Sequence, residues 1–195
     1  TKEESSFKRD QFLQITSFCC DCPPGACINN PMKKENLLNW IELSESALSK
    51  NLKSLAQLAG KRDIAVSVKA NAYGHGLNEI ISLLNKQKSI DYISVHSLDE
   101  AIETRQAGWK RRIMVLGPIA KTLLKNVFAL NLEPTVFELI TLRELGKLSN
   151  QYKKPLRTHL KLETGTNRQG LTEEELAKFA KVYKSYPYLK KPFGC

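Results

Sequence analysis

Two short stretches of this chain hold residue types that could do chemistry. In the first, Lys69 ends the apolar run Ile64-Ala65-Val66-Ser67-Val68. A lysine held there is partly dried, and desolvation disfavours its charged form. A neutral amine in such a place attacks carbonyls and forms a Schiff base. The next residues, Ala70-Asn71-Ala72-Tyr73-Gly74-His75-Gly76, permit a tight turn. Glycine N–H groups left open beside a helix start would also suit a phosphate. The competing reading is a lysine whose stem lies on apolar surface while its ammonium reaches solvent, and on spacing alone that is the commoner arrangement.

The second stretch is His159-Leu160-Lys161-Leu162-Glu163-Thr164-Gly165-Thr166-Asn167-Arg168-Gln169-Gly170. Lys161 and Glu163 share the parity of His159, so one strand face would carry three ionisable groups. Burying such a face is costly unless the groups are paired. Arg168 lies in a turn from which its planar fork could grip an anionic oxygen. An edge strand with one solvated face is the competing reading. His75 and His96 stand at strand ends without a ligand cluster, so no metal is expected at either. Four of the five cysteines, Cys19, Cys20, Cys22 and Cys27, crowd one stretch, and the fifth is Cys195. Their spacing is too tight for a zinc knuckle, and no histidine lies nearby.

The elements that must position these stretches can be read from periodicity. Ser44 is placed as an N-cap for a helix carrying Ala47, Leu48, Leu52, Leu55, Leu58 and Ala59, with Gly60 as its stop. Trp40-Ile41-Glu42-Leu43 before it reads as a short extended segment. Strands are then predicted over Asp63–Val68, Ile90–Val95, Arg112–Leu116, Leu132–Phe137 and Leu156–Leu162. Helices are predicted between and after them, over Leu77–Asn85, Leu98–Ala107, Ile119–Leu130, Glu138–Leu148 and Thr172–Tyr183. Such alternation implies a parallel sheet with helical crossovers, either a doubly wound sheet or a (β/α)8 barrel. In both, function gathers after the strand C-termini, where Lys69 and Arg168 fall. About five βα units are present. A closed barrel needs eight strands and about 250 residues.

Taken together, the two stretches resemble the alanine racemases. Val68-Lys69-Ala70-Asn71-Ala72-Tyr73-Gly74-His75-Gly76 resembles that family's cofactor-lysine signature. The stretch from His159 to Gly170 resembles its second motif, and Trp40-Ile41-Glu42-Leu43 with the helix containing Asn51 resembles its opening segment. The resemblance runs from about Asn39 to Tyr186. It implies a TIM-type barrel that binds pyridoxal 5'-phosphate and interconverts L- and D-alanine, supplying D-alanine for peptidoglycan. In that reading Lys69 holds the cofactor as a Schiff base and is one of two acid–base groups. Tyr73 faces the cofactor phosphate. Arg168 lies by the cofactor's phenolic oxygen and the substrate carboxylate, and Lys161 is a carbamylated lysine that orients it. Glu163 stands where the family more usually has Asp, and Thr166 where Met is common.

The resemblance also implies parts that come later in such a chain: the opposite-face tyrosine base, which acts across a homodimer interface, most phosphate ligands and a C-terminal β-domain. The expectation is therefore an incomplete barrel, the N-terminal part of a racemase, inactive alone. Residues 1–31 read as a leader, disordered or non-native, and residues 32–195 as the truncated barrel domain. The first residue is Thr1 and the first methionine Met32, so the chain need not begin where its gene does.

Composition bounds the rest. The chain has 195 residues, 42% of them hydrophobic, and a net charge of +10, which excludes collagenous or wholly disordered classes. The longest nearly apolar run, Ile113–Ala120, is far short of the roughly 20 residues of a membrane span. The lysines are spread over helix faces without an aromatic platform, so no nucleic-acid partner is expected. A cysteine-free body and the lack of a secretory pattern give a cytoplasmic expectation. Two alternatives remain beside alanine racemase: a non-catalytic barrel protein of pyridoxal-phosphate homeostasis, and a racemase for another amino acid such as serine.

Overall fold

The computed structural model describes residues 39–194. Residues 1–31, expected as a leader, and all five cysteines lie outside them. Ser44 Oγ accepts the Ala47 N–H at 3.2 Å and starts α1, Glu45–Ala59; Gly60, at φ 61°, stops it. Trp40-Ile41-Glu42-Leu43, expected as an extended segment, pairs with no strand of the described sheet.

Six strands form one sheet: β1 (Ala65–Ser67), β2 (Tyr92–Val95), β3 (Arg112–Val115), β4 (Glu133–Val136), β5 (His159–Leu160) and β6 (Phe193–Gly194). Neighbours run in chain order from β1 to β6, and every pairing is parallel. A doubly wound sheet reverses its strand order at a switch point. This one does not, so the barrel alternative holds and the sheet is an arc of a TIM-type barrel. β6 begins a sixth unit beyond the five expected.

The crossovers are α3 (Leu77–Asn85), α4 (Leu98–Gln106), a 3-10 turn at Lys121–Leu123 with α5 (Lys125–Ala129), α6 (Leu139–Tyr152) and α7 (Glu173–Ser185). A single turn, α2 (Lys69–Tyr73), precedes α3. The helix expected over Ile119–Leu130 is broken for a geometric reason. Leu124, Val127 and Phe128 face the core at helical spacing, but Ile119 lies five residues earlier, well off that face. Burying it too requires the extended backbone found at Ala120, with ψ 139°.

The two sheet faces differ sharply. Ile93, Val95, Ile113, Val115 and Val136 pack in the core with helix residues such as Ile81, Leu84, Ala101, Val127, Leu142 and Leu145. The opposite parity carries Tyr92, Ser94, Arg112, Met114, Glu133, Thr135 and His159. Arg112 donates to both oxygens of Glu133 at 2.7 and 2.9 Å and to Asp63 at 2.6 Å, while His159 Nε2 lies 2.9 Å from Glu133. The ionisable face is thus paired at its base, as its burial demands. No helix among the described residues is long and apolar enough to cross a membrane.

Candidate active site

Lys69 owes its place to an unusual turn. The Val68 N–H donates to the Ser94 carbonyl at 2.9 Å and carries the β1 ladder one residue further. The chain then turns left-handed. Ala70, Asn71, Ala72 and Tyr73 have φ of 52°, 53°, 53° and 55°. An L-residue there costs about 1–2 kcal/mol, so a run of them survives only where its surroundings over-determine it.

Those surroundings are specific. The Ala72 N–H donates to the Val68 carbonyl at 2.9 Å, and the Ala70 N–H donates to Glu100 Oε1 at 2.7 Å. Asn71 Oδ1 accepts the Leu77 N–H at 2.7 Å and so caps α3. The Gly74 and Gly76 N–H groups donate back to carbonyls of the turn at 3.1 Å. The glycine loop is therefore not the open phosphate cradle its composition suggests: its N–H groups, and the first of α3, are already used. What the loop does is present Lys69. That residue is half-buried at the C-terminal end of the sheet, with Nζ 5.9 Å from the Tyr73 ring centre. Tyr73 is exposed, and its hydroxyl lies 3.3 Å from Ser67 Oγ.

The second motif also closes on itself. The Lys161 N–H donates to the Val136 carbonyl at 3.1 Å. The chain returns so that the Leu171 N–H reaches the Lys161 carbonyl at 2.8 Å and the Glu163 N–H reaches the Leu171 carbonyl at 2.9 Å. Inside this loop Glu163 gathers the N–H groups of Gly165, Asn167 and Arg168 at 2.6, 3.0 and 3.3 Å. Hydrogen bonds from the backbone, that of Asn167 foremost, hold its carboxyl below the ordinary value. Lys161 is half-buried and Arg168 exposed. The structure thus brings Lys69 beside Tyr73 and places Lys161 and Arg168 on one closed loop. The two pairs come after β1 and β5, at the same end of one sheet, with β2, β3 and β4 between.

Sequence reasoning missed Glu100 and Asn71, the two side chains that fix the lysine turn. Ser97-Leu98-Asp99-Glu100 spells a capping box and could have drawn attention to the glutamate. Nothing local in the sequence announces that its carboxylate reaches Ala70, 30 residues away in the chain.

A parallel arc of strands in chain order, joined by helices, defines the αβ-barrel class of fold, and known proteins sharpen it. The family model for the alanine racemase N-terminal domain matches residues 43–191. The chain belongs to the alanine racemase family. It is 31% identical over 138 residues to alanine racemase 1 of Caldanaerobacter subterraneus subsp. tengcongensis, a match covering 70% of this chain and 35% of that protein. It superposes on the alanine racemase of E. faecalis with a TM-score of 0.69 and 28% identity, over 78% of this chain and 42% of that one. The histidine racemase of Leuconostoc mesenteroides subsp. sake matches with a TM-score of 0.69 and 25% identity, over 78% and 41%. The chain thus spans about a third of the length of its curated relatives. The family depends on pyridoxal phosphate. An amine at a strand end beside a phenol is a donor set that suits this cofactor's carbonyl and phosphate. The residues present fit that part of its site.

Proposed function

We propose that this chain carries the cofactor-lysine portion of a pyridoxal-phosphate amino-acid racemase acting on alanine. The observation that carries the reading is the left-handed turn, which holds Lys69 at the C-terminal end of a parallel sheet in a chain of this family. When bound, the cofactor draws electrons from the substrate and makes its Cα–H acidic. Lys69 Nζ would hold the cofactor and, once the substrate amine has displaced it, would move a proton to and from Cα on one face. The Tyr73 hydroxyl would donate to a phosphate oxygen. The Arg168 guanidinium would grip the substrate carboxylate and the cofactor's phenolic oxygen. Lys161 Nζ takes up carbon dioxide and releases a proton, becoming a carbamate. Its negative charge then faces Arg168 and orients the guanidinium. The working assembly is a cytoplasmic homodimer that supplies D-alanine for peptidoglycan.

A second reading, racemisation of another amino acid, is supported by the histidine racemase neighbour, which matches as well in fold as the alanine racemases do. Both readings share one test of Lys69. Pyridoxal phosphate added to the folded chain, with borohydride added next, is expected to give a reduced adduct that peptide mapping finds on Lys69. Lys69→Ala should abolish it. Adducts on surface lysines with Lys69 unmodified would overturn the assignment.

A further inference from the structure

We propose that Glu100 is the positioning residue for Lys69: one carboxylate that ties the lysine turn to the rim of the neighbouring βα loop. The inference rests on the reading of Lys69 as the cofactor lysine, and extends it to a residue that touches neither cofactor nor substrate.

Glu100 occupies the position of a helix cap, but its strongest bonds lie elsewhere. The bond that completes the capping box, from the Ser97 N–H to Glu100 Oε2, is long at 3.4 Å. The short bonds come from the His96 N–H to Oε2 at 2.6 Å and from the Ala70 N–H to Oε1 at 2.7 Å. Each carboxylate oxygen therefore holds a different loop, one after β1 and one after β2. Bonds from N–H groups to an ionised acceptor are about twice as strong as neutral ones.

The geometry reaches Lys69 through the backbone. The Ala70 N–H belongs to the peptide plane bonded directly to Lys69 Cα, so fixing that plane fixes the direction in which the lysine leaves the chain. Ala70 is also the first left-handed residue, at φ 52°. Released from Glu100, it can relax toward ordinary backbone and carry Lys69 with it. The other end of the tie is rigid. The Gly117 N–H donates to the His96 carbonyl at 2.8 Å, and a Cβ on Gly117 would meet that oxygen at 2.6 Å. Three successive βα loops are thus stitched together, with the lysine turn at one end.

The test uses Glu100→Gln, which keeps the side chain's shape but turns an NH2 toward one of the two short N–H bonds. Ser97→Ala is its companion; it removes the cap hydroxyl and leaves the carboxylate. In the full chain without cofactor, amide exchange at Ala70 is expected to accelerate about tenfold or more in Glu100→Gln. Labelling of Lys69 by pyridoxal phosphate and borohydride, relative to surface lysines, should fall several-fold. Ser97→Ala should lower Tm without changing either quantity, and Glu100→Asp should restore part of both. Unchanged Ala70 protection in Glu100→Gln overturns the proposal. So does a loss of both quantities that tracks Tm equally in the two variants. A chain whose Lys69 takes no label in any form rejects the cofactor-lysine reading; the Ala70 amide then decides by itself whether Glu100 holds the turn.

Discussion

Gly170 has φ 153°, and a Cβ placed on it would meet the Glu163 nitrogen at 2.4 Å and the Leu162 carbonyl carbon at 2.7 Å. Those atoms are backbone within the returning loop, so they have no rotamer through which to give way. Gly170→Ala should therefore destabilise the chain by about 1–3 kcal/mol, through overpacking and a disfavoured φ together. The measurement is the urea midpoint; one within error of the parent would mean that the Arg168 loop repacks freely. The cost lands on the segment that positions Arg168, so the same variant should loosen Arg168 before it loosens Lys69. Gly74 differs: it has φ 83° but nothing within 4 Å of an added Cβ, so only its backbone conformation demands glycine.

Arg105 and Arg111 show how elements are held and what periodicity hides. Periodicity singles out neither of them: Arg105 lies on the helix predicted over Leu98–Ala107, and Arg111 between it and the next strand. In the structure Arg111 donates to the carbonyls of Leu84, Gln87 and Ile90, closing the end of α3, and its guanidinium lies 4.1 Å from the Trp109 ring centre. Arg105 donates to the carbonyls of Leu130, Asn131, Trp109 and Arg111. Part of the chain's basic excess is thus internal carbonyl capping. A lysine cannot reproduce a planar fork with several donors. Arg111→Lys should cost about 1–2 kcal/mol and raise amide exchange in the last turn of α3 before the rest of the helix; equal exchange throughout α3 would count against a local cap. The elements themselves were legible, because apolar periodicity and caps are local signals. Ser44 and Gly60 bound α1 as their types require, and Thr172 caps α7. The positions of Lys69, Tyr73, Lys161 and Arg168 after β1 and β5 were legible too, because motifs are contiguous. What was not legible depends on residues far apart in the chain: the tie of Glu100 to Ala70, the left-handed run, and the use of the glycine N–H groups inside their own turn. The break at Ala120 was lost for the same reason, since only the core decides that Ile119 must be buried along with Leu124.

At the scale of the whole molecule, the sheet's polar face makes stability depend on acid. Asp63, Arg112, Glu133 and His159 join the segment before β1 to β3, β4 and β5 across the base of the arc. Burial alone would raise the Glu133 carboxyl. Hydrogen bonds from His159 and Arg112 outweigh it and pull the group down to about 2. In the unfolded chain it returns to about 4.5. A group depressed on folding binds its proton more tightly when unfolded, so its contribution is fully present above pH 4.5 and is lost as pH falls toward 2. The side chain is only 9% exposed, so solvent screens the interaction little, and the contribution is on the order of 3 kcal/mol. Glu133→Gln should remove most of that dependence. It should also destabilise the chain at neutral pH by about 3 kcal/mol, because half-buried Arg112 and buried His159 would lose the carboxylate they share. Urea unfolding at pH 7, 4.5 and 3 checks both statements. The parent should hold this contribution from pH 7 to 4.5 and lose it progressively below that, the variant much less, the two curves drawing together at the acid end. Parallel curves would place the acid sensitivity in other carboxylates and would leave Glu133 as a packing residue in a face that merely happens to be charged.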